Sequence, residues 1–186
     1  MDNDKFIFCL EAVADIDAES ATVVLKNLEQ LALRVRIGSI YKTCDTIEGL
    51  EDSLNALLYD DHHFKNYEII YLIMPGEDNN ICLNDYYYSL EEIAEIFEGR
   101  LKGKILHFAN AKVLDLTNDE AQYFLDVTGA RAISGYGRAS GEVTSMPLDN
   151  LFFSLCQDGD GIVEVVEELH EKQYRLCQLL DFRLYL

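Results

Sequence analysis

Cysteine and histidine are the residue types in this sequence that could supply a nucleophile and a base. The histidines are His62, His63, His107 and His170, and the cysteines are Cys9, Cys44, Cys82, Cys156 and Cys177. Thiol catalysis needs a thiolate and an imidazole brought together from separate strand ends. Spacing alone pairs none of these residues. Cys82 could face His107, and nothing in the spacing favours that over packing. Cys44 precedes Asp45 at a strand-to-helix turn, where a helix N-terminus would lower its pKa. His107 lies inside an apolar run and reads first as a hydrogen-bonded core histidine, and His170 falls on the exposed side of an acidic helix. His62 and His63 sit in a polar loop beside Asp60 and Asp61. As zinc ligands they lack a second, distant Cys or His pair, so neither a metal nor a cofactor is expected.

Other motifs give less. Gly135-Tyr136-Gly137 completes neither of the glycine-rich phosphate-binding fingerprints. Tyr86-Tyr87-Tyr88 reads as an exposed hairpin with alternating packing, and Glu164, Glu167, Glu168 and Glu171 as a solvated helix face.

The elements that must position these residues alternate between strand-like and helix-like runs. Strands are predicted over 5–10, 35–41, 67–74, 103–108 and 130–135, the last taken as the final core strand. Helices are predicted over 19–33, from Thr46 with Leu50, Leu54, Leu57 and Leu58 on one face, over 89–98, 117–127 and 145–156. A long amphipathic helix follows Asp160-Gly161. Residues 80–83 and 85–88 form a small hairpin, placed after the breaker pair Pro75-Gly76. Repeated strand–helix alternation implies a three-layer α/β sandwich, with helices on both faces of a mainly parallel sheet. In such sheets ligands sit beyond the carboxyl ends of strands. Segments 75–79, 109–113 and 136–145 meet that description.

Composition bounds the function. With 186 residues, 49% hydrophobic and 26% charged, the chain is read as one globular domain over 1–186. Its 34 acidic and 15 basic side chains give a formal charge of −19. That charge repels nucleic acid phosphates and anionic lipid, so neither partner is expected. The N-terminus has no signal-like apolar core and the apolar runs are too short to span a bilayer. An odd, irregularly spaced cysteine set argues against a disulfide framework and for a reducing cytoplasm.

Three segments carry a family resemblance. They are Tyr71-Leu72-Ile73-Met74-Pro75-Gly76-Glu77, Gly103-Lys104-Ile105-Leu106-His107-Phe108-Ala109-Asn110-Ala111 and Ala132-Ile133-Ser134-Gly135-Tyr136. Over residues 67–155 the chain resembles small bacterial caspase-like domains, of the clan that includes CHAT-type and clostripain-like cysteine peptidases. The resemblance implies a catalytic His at the end of the third strand and a catalytic Cys after the fourth. Those positions hold Pro75 and Ala111, which offer neither a base nor a nucleophile. Relatives carry Asp-Trp near the substrate pocket, where this chain has Gly141 and Glu142. His107 matches a family histidine that is not the base. The reading is a catalytically inactive caspase-like domain that binds a protein or peptide partner. Gly76, Glu77, Asn110, Tyr136 and Glu142 are its candidate binding residues. Two alternatives stay open. One is a cysteine hydrolase using Cys82 or Cys44. The other is a flavodoxin-like or receiver-like ligand-binding module, the receiver version lacking an evident acidic cluster after the first strand.

Overall fold

Side chains that alternate across a strand build two cores when both faces of the sheet are covered. The computed structural model describes residues 6–14, 16, 22–60, 66–109, 112–138, 143–159 and 161–186. The main sheet holds β1 (Phe6–Ala12), β2 (Gly38–Cys44), β3 (Tyr67–Ile73), β7 (Ile105–Ala109), β8 (Ala132–Tyr136) and β9 (Phe182–Tyr185), in the order β2-β1-β3-β7-β8-β9. Every neighbouring pair is parallel except β8 with β9. A second, antiparallel sheet inserted after β3 holds β4 (Gly76–Glu77), β5 (Asn80–Leu83) and β6 (Tyr86–Ser89).

One face of the main sheet presents Ile7, Cys9, Ile69, Tyr71, Ile105 and Tyr136. These pack under α1 (Val23–Val35), α5 (Met146–Asp158), α6 (Ile162–Lys172) and α7 (Tyr174–Leu180). The other face presents Phe8, Leu10, Ile70, Leu72, Leu106 and Phe108. It is covered by α2 (Ile47–Asn55), α3 (Leu90–Ile96) and α4 (Asn118–Thr128). The result is a three-layer α/β sandwich with a mainly parallel sheet, as the alternation predicts.

The departures have local causes. Helix α1 runs on to Val35 and stops at Arg36, whose φ of 57° is left-handed, so β2 starts only at Gly38. Helix α2 continues into one π-helical turn, Ala56–Asp60. The long C-terminal helix breaks at Gln173 into α6 and α7. Strand β8 is not the last: Asp181, at φ 54°, ends α7 and sends the chain back as antiparallel β9. His62 and His63 lie outside the described residues, as do Asn110, Ala111, Gly141 and Glu142. Among the described residues no helix is long and apolar enough to cross a membrane.

Candidate functional site

Strand β1 connects to β2 on one side and stands beside β3 on the other, so the order reverses between β1 and β3. At such a switch point the connections diverge and leave a crevice at the carboxyl ends of the strands. A cleft of about 290 Å³ lies there. Its lining is Ala12 at the end of β1 with Val13 and Ala14 beyond it, Asp45 after β2, Pro75 after β3, and residues 82–85 from the hairpin. Pro75 is exposed at its edge, and its carbonyl accepts from the Cys82 amide at 2.7 Å. The lining offers two carboxylates, Asp45 and Asp85, and the half-buried Cys82 thiol. It contains no imidazole among the described residues.

The inserted sheet is shaped by two tight turns. Asp78 and Asn79 have φ of 50° and 63°, and Asn84 and Asp85 have φ of 50° and 64°. Paired positive φ is the mark of the twisted two-residue hairpin, and Asn and Asp tolerate it best after glycine. Gly76 has a different constraint: a Cβ there would meet the Asn80 carbonyl oxygen at 2.1 Å. Its role is therefore close backbone approach, and it has no side chain to offer a ligand. Glu77 bridges to Lys112 through the backbone and through a 2.9 Å ion pair, which ties the hairpin to the loop after β7. Asn79 strengthens that tie through its amide to the Val113 carbonyl and its side chain to the Asp115 backbone.

His107 points to the opposite layer from this cleft. Its Nε2 pairs with Asp149 Oδ1 at 2.7 Å and its Nδ1 with Ser134 Oγ at 2.8 Å. Asp149 also accepts from the hydroxyls of Tyr71, Tyr136 and Ser145. With Asp149 Oδ1 as the acceptor, His107 Nε2 is the donor of this bond. Both His107 and Asp149 are fully buried, and Phe152, Phe153 and Phe182 ring the imidazole. Burial, then the nearby Asp149 carboxylate, holds the phenols of Tyr71 and Tyr136 well above their usual range. A base must reach a proton on its substrate. His107 is instead a satisfied member of a core network, as its place in the strand predicts.

Several expectations are corrected by this geometry. Cys82 and His107 do not meet, because Ile81 and Leu83 pack beside Cys82 into the core opposite the one His107 enters. Cys44 is buried, and burial, with Asp45 adding negative charge, pushes its thiol up to about 12. Burial therefore raises the thiol where the turn position had suggested a lowering. Tyr136 is 1% exposed with its hydroxyl on Asp149, so it is a core residue with no free surface for a ligand. His170 is half-buried, its ring edge-on to Phe182. Asp149 was not singled out by the sequence, yet a signal was present. It lies on the apolar face of its helix with Leu148, Phe152 and Phe153, where a carboxylate requires partners.

Among curated proteins no sequence matches this one. Among solved structures, the crystal structure of the Drosophila initiator caspase Dronc is similar, with a TM-score of 0.55 at 9% sequence identity. The similarity covers 91% of this chain and 73% of that one. At this identity the likeness establishes a caspase-like fold and nothing finer. The profile of the family described as "Family of unknown function (DUF6642)" matches residues 4–186, and the chain belongs to that family.

Proposed function

We propose that this chain is a caspase-like domain that binds a protein or peptide segment at the carboxyl ends of its strands without cleaving it. The observation that carries this reading is the switch-point cleft. It opens where a ligand is expected in this architecture, yet Pro75 stands at its edge and no described histidine lines it. The resemblance expects the general base at the position of Pro75 and the nucleophile at that of Ala111. Base and nucleophile act as a unit, so loss of either removes most of the rate. Of the binding residues named from the sequence, Glu77 offers an exposed side chain beside the cleft-forming hairpin.

One observation favours a second reading, a hydrolase that uses Cys82. This thiol lines the cleft and is half-buried, whereas Cys9, Cys44, Cys156 and Cys177 are buried. What it lacks is an imidazole among the described lining. Incubation with a peptide library, read by mass spectrometry, separates the two. The binding reading expects no new peptide ends. Fragments formed by the natural protein and absent with Cys82→Ala would replace it with the hydrolase.

A further inference from the structure

A second groove, of about 400 Å³, lies away from the switch point, between α3, α4 and the Asp78-Asn79 turn. That volume is near the low end of ordinary ligand pockets, roughly 300–1,000 Å³. Leu90, Leu116 and Phe124 form its floor. Its rim is Asp78, Glu91, Asp119 and Glu120, all exposed, and Tyr123, 42% exposed, stands in its wall.

Two helix N-termini flank the groove, a place where an anion would ordinarily be expected. Here the chain fills both itself. Ser89 Oγ and Thr117 Oγ accept from the amides of Glu92 and Glu120. The Glu92 and Glu120 carboxylates in turn accept from the backbone amides of Ser89 and Thr117. With a capping box at each terminus and a carboxylate rim, an anion is repelled. A metal ion fits no better, because no three ligating side chains converge anywhere among the described residues. The carboxylates are spread along the rim, and Glu91 and Asp119 have no ion-pair partner among the described residues. Tyr123 is held above its usual range, first by partial shelter from water and then by Glu95, Glu91 and Glu98. An exposed aromatic ring in a negative field, over an apolar floor, is complementary to a guanidinium or ammonium on an aliphatic stem.

We propose that this groove docks a segment of a partner protein in which arginine or lysine alternates with apolar side chains. The cation lies on the Tyr123 ring beside Glu91 and Asp119, and a neighbouring apolar side chain covers Leu116. The proposal rests on the reading that the chain works by binding.

The test uses the full chain and a fluorescent octapeptide of alternating arginine and leucine, with binding read by anisotropy at physiological salt. Two control peptides replace leucine by serine, or arginine by glutamate. Tyr123→Ala and Asp119→Lys are each expected to weaken binding roughly tenfold. Glu167→Lys on α6 is expected to change it by about twofold or less, and Asp45→Lys reports separately on any binding at the switch-point cleft. The leucine peptide should bind more tightly than the serine peptide, and the glutamate peptide should not bind. All four substituted positions except Asp45 are exposed, and thermal melts confirm that each variant is folded. Equal weakening by all four variants would mean binding through net charge alone and would overturn the proposal. So would a loss confined to Asp45→Lys, absence of binding, or indifference to leucine. Cleavage of the octapeptide would remove the silent-domain reading and leave the groove untouched.

Discussion

Asp149 accepts four hydrogen bonds inside a core that excludes water, from His107, Tyr71, Tyr136 and Ser145. Alanine there leaves an imidazole and three hydroxyls without their acceptor. Leaving buried donors without their acceptor costs about 1–3 kcal/mol. We expect Asp149→Ala to lower the urea unfolding free energy by that amount; a loss below about 1 kcal/mol would fit an exposed, dispensable carboxylate instead. Cys44 gives a pH dependence. Its thiol titrates near 9.0 when unfolded and is pushed up to about 12 in the fold. Below pH 9 both states hold the proton and stability does not change. Between 9.0 and about 12 the unfolded state releases it first, so stability falls as pH rises. Tyr71 and Tyr136 add to the fall above 10.0, in the same direction. Urea midpoints measured from pH 8 upward should show this decline, with a shallower slope for Cys44→Ala. At this scale the sequence was partly legible. His107 read correctly as core because its neighbours in the strand are apolar. Cys44 misled because its turn position suggested the dipole, while depth of burial, which decides the sign, depends on α2 packing over it.

The inserted hairpin depends on contacts between elements. A Cβ on Gly76 would strike the Asn80 backbone, which cannot move aside as a flexible side chain would. Gly76→Ala should therefore cost about 1–3 kcal/mol and raise hydrogen exchange in β4 and β5 first. Rebuilding chemistry at this edge should be hard. Pro75→His combined with Ala111→Cys is expected to give weak peptide cleavage at most, because catalytic geometry tolerates only about 0.5 Å of error. Efficient turnover by that variant would show the site intact apart from two side chains. Strands β1, β3, β7 and β8 were legible because both of their faces are buried and their apolar runs are continuous. Strand β9 was not: its four residues lie at a sheet edge, three of them half-buried, and their pattern blends into the preceding helix. Strand β4 is two residues long and exists only through its pairing with β5.

Across the whole molecule, the parallel strands β2-β1-β3-β7-β8 follow an order also found in flavodoxin-like sheets. The antiparallel sixth strand and the sheet inserted after β3 set this fold apart; the hairpin of that sheet was legible from its turn residues and from the breaker pair before it, whereas β4 and β9 were not. A net charge of −19 suits cationic partners and is neutral as to fold. The proposed function requires the caspase-like scaffold to bind without cysteine chemistry. The most direct measurement exposes the native protein to a broad cysteine-directed electrophile and resolves each labelled thiol by mass spectrometry. Peptide-library turnover is followed in the same samples. Binding without catalysis predicts labelling of Cys82 that rises linearly with probe concentration, slower labelling of the four buried thiols, and no cleavage at any probe level. Saturable labelling of one cysteine, with peptide cleavage falling in step, would contradict it.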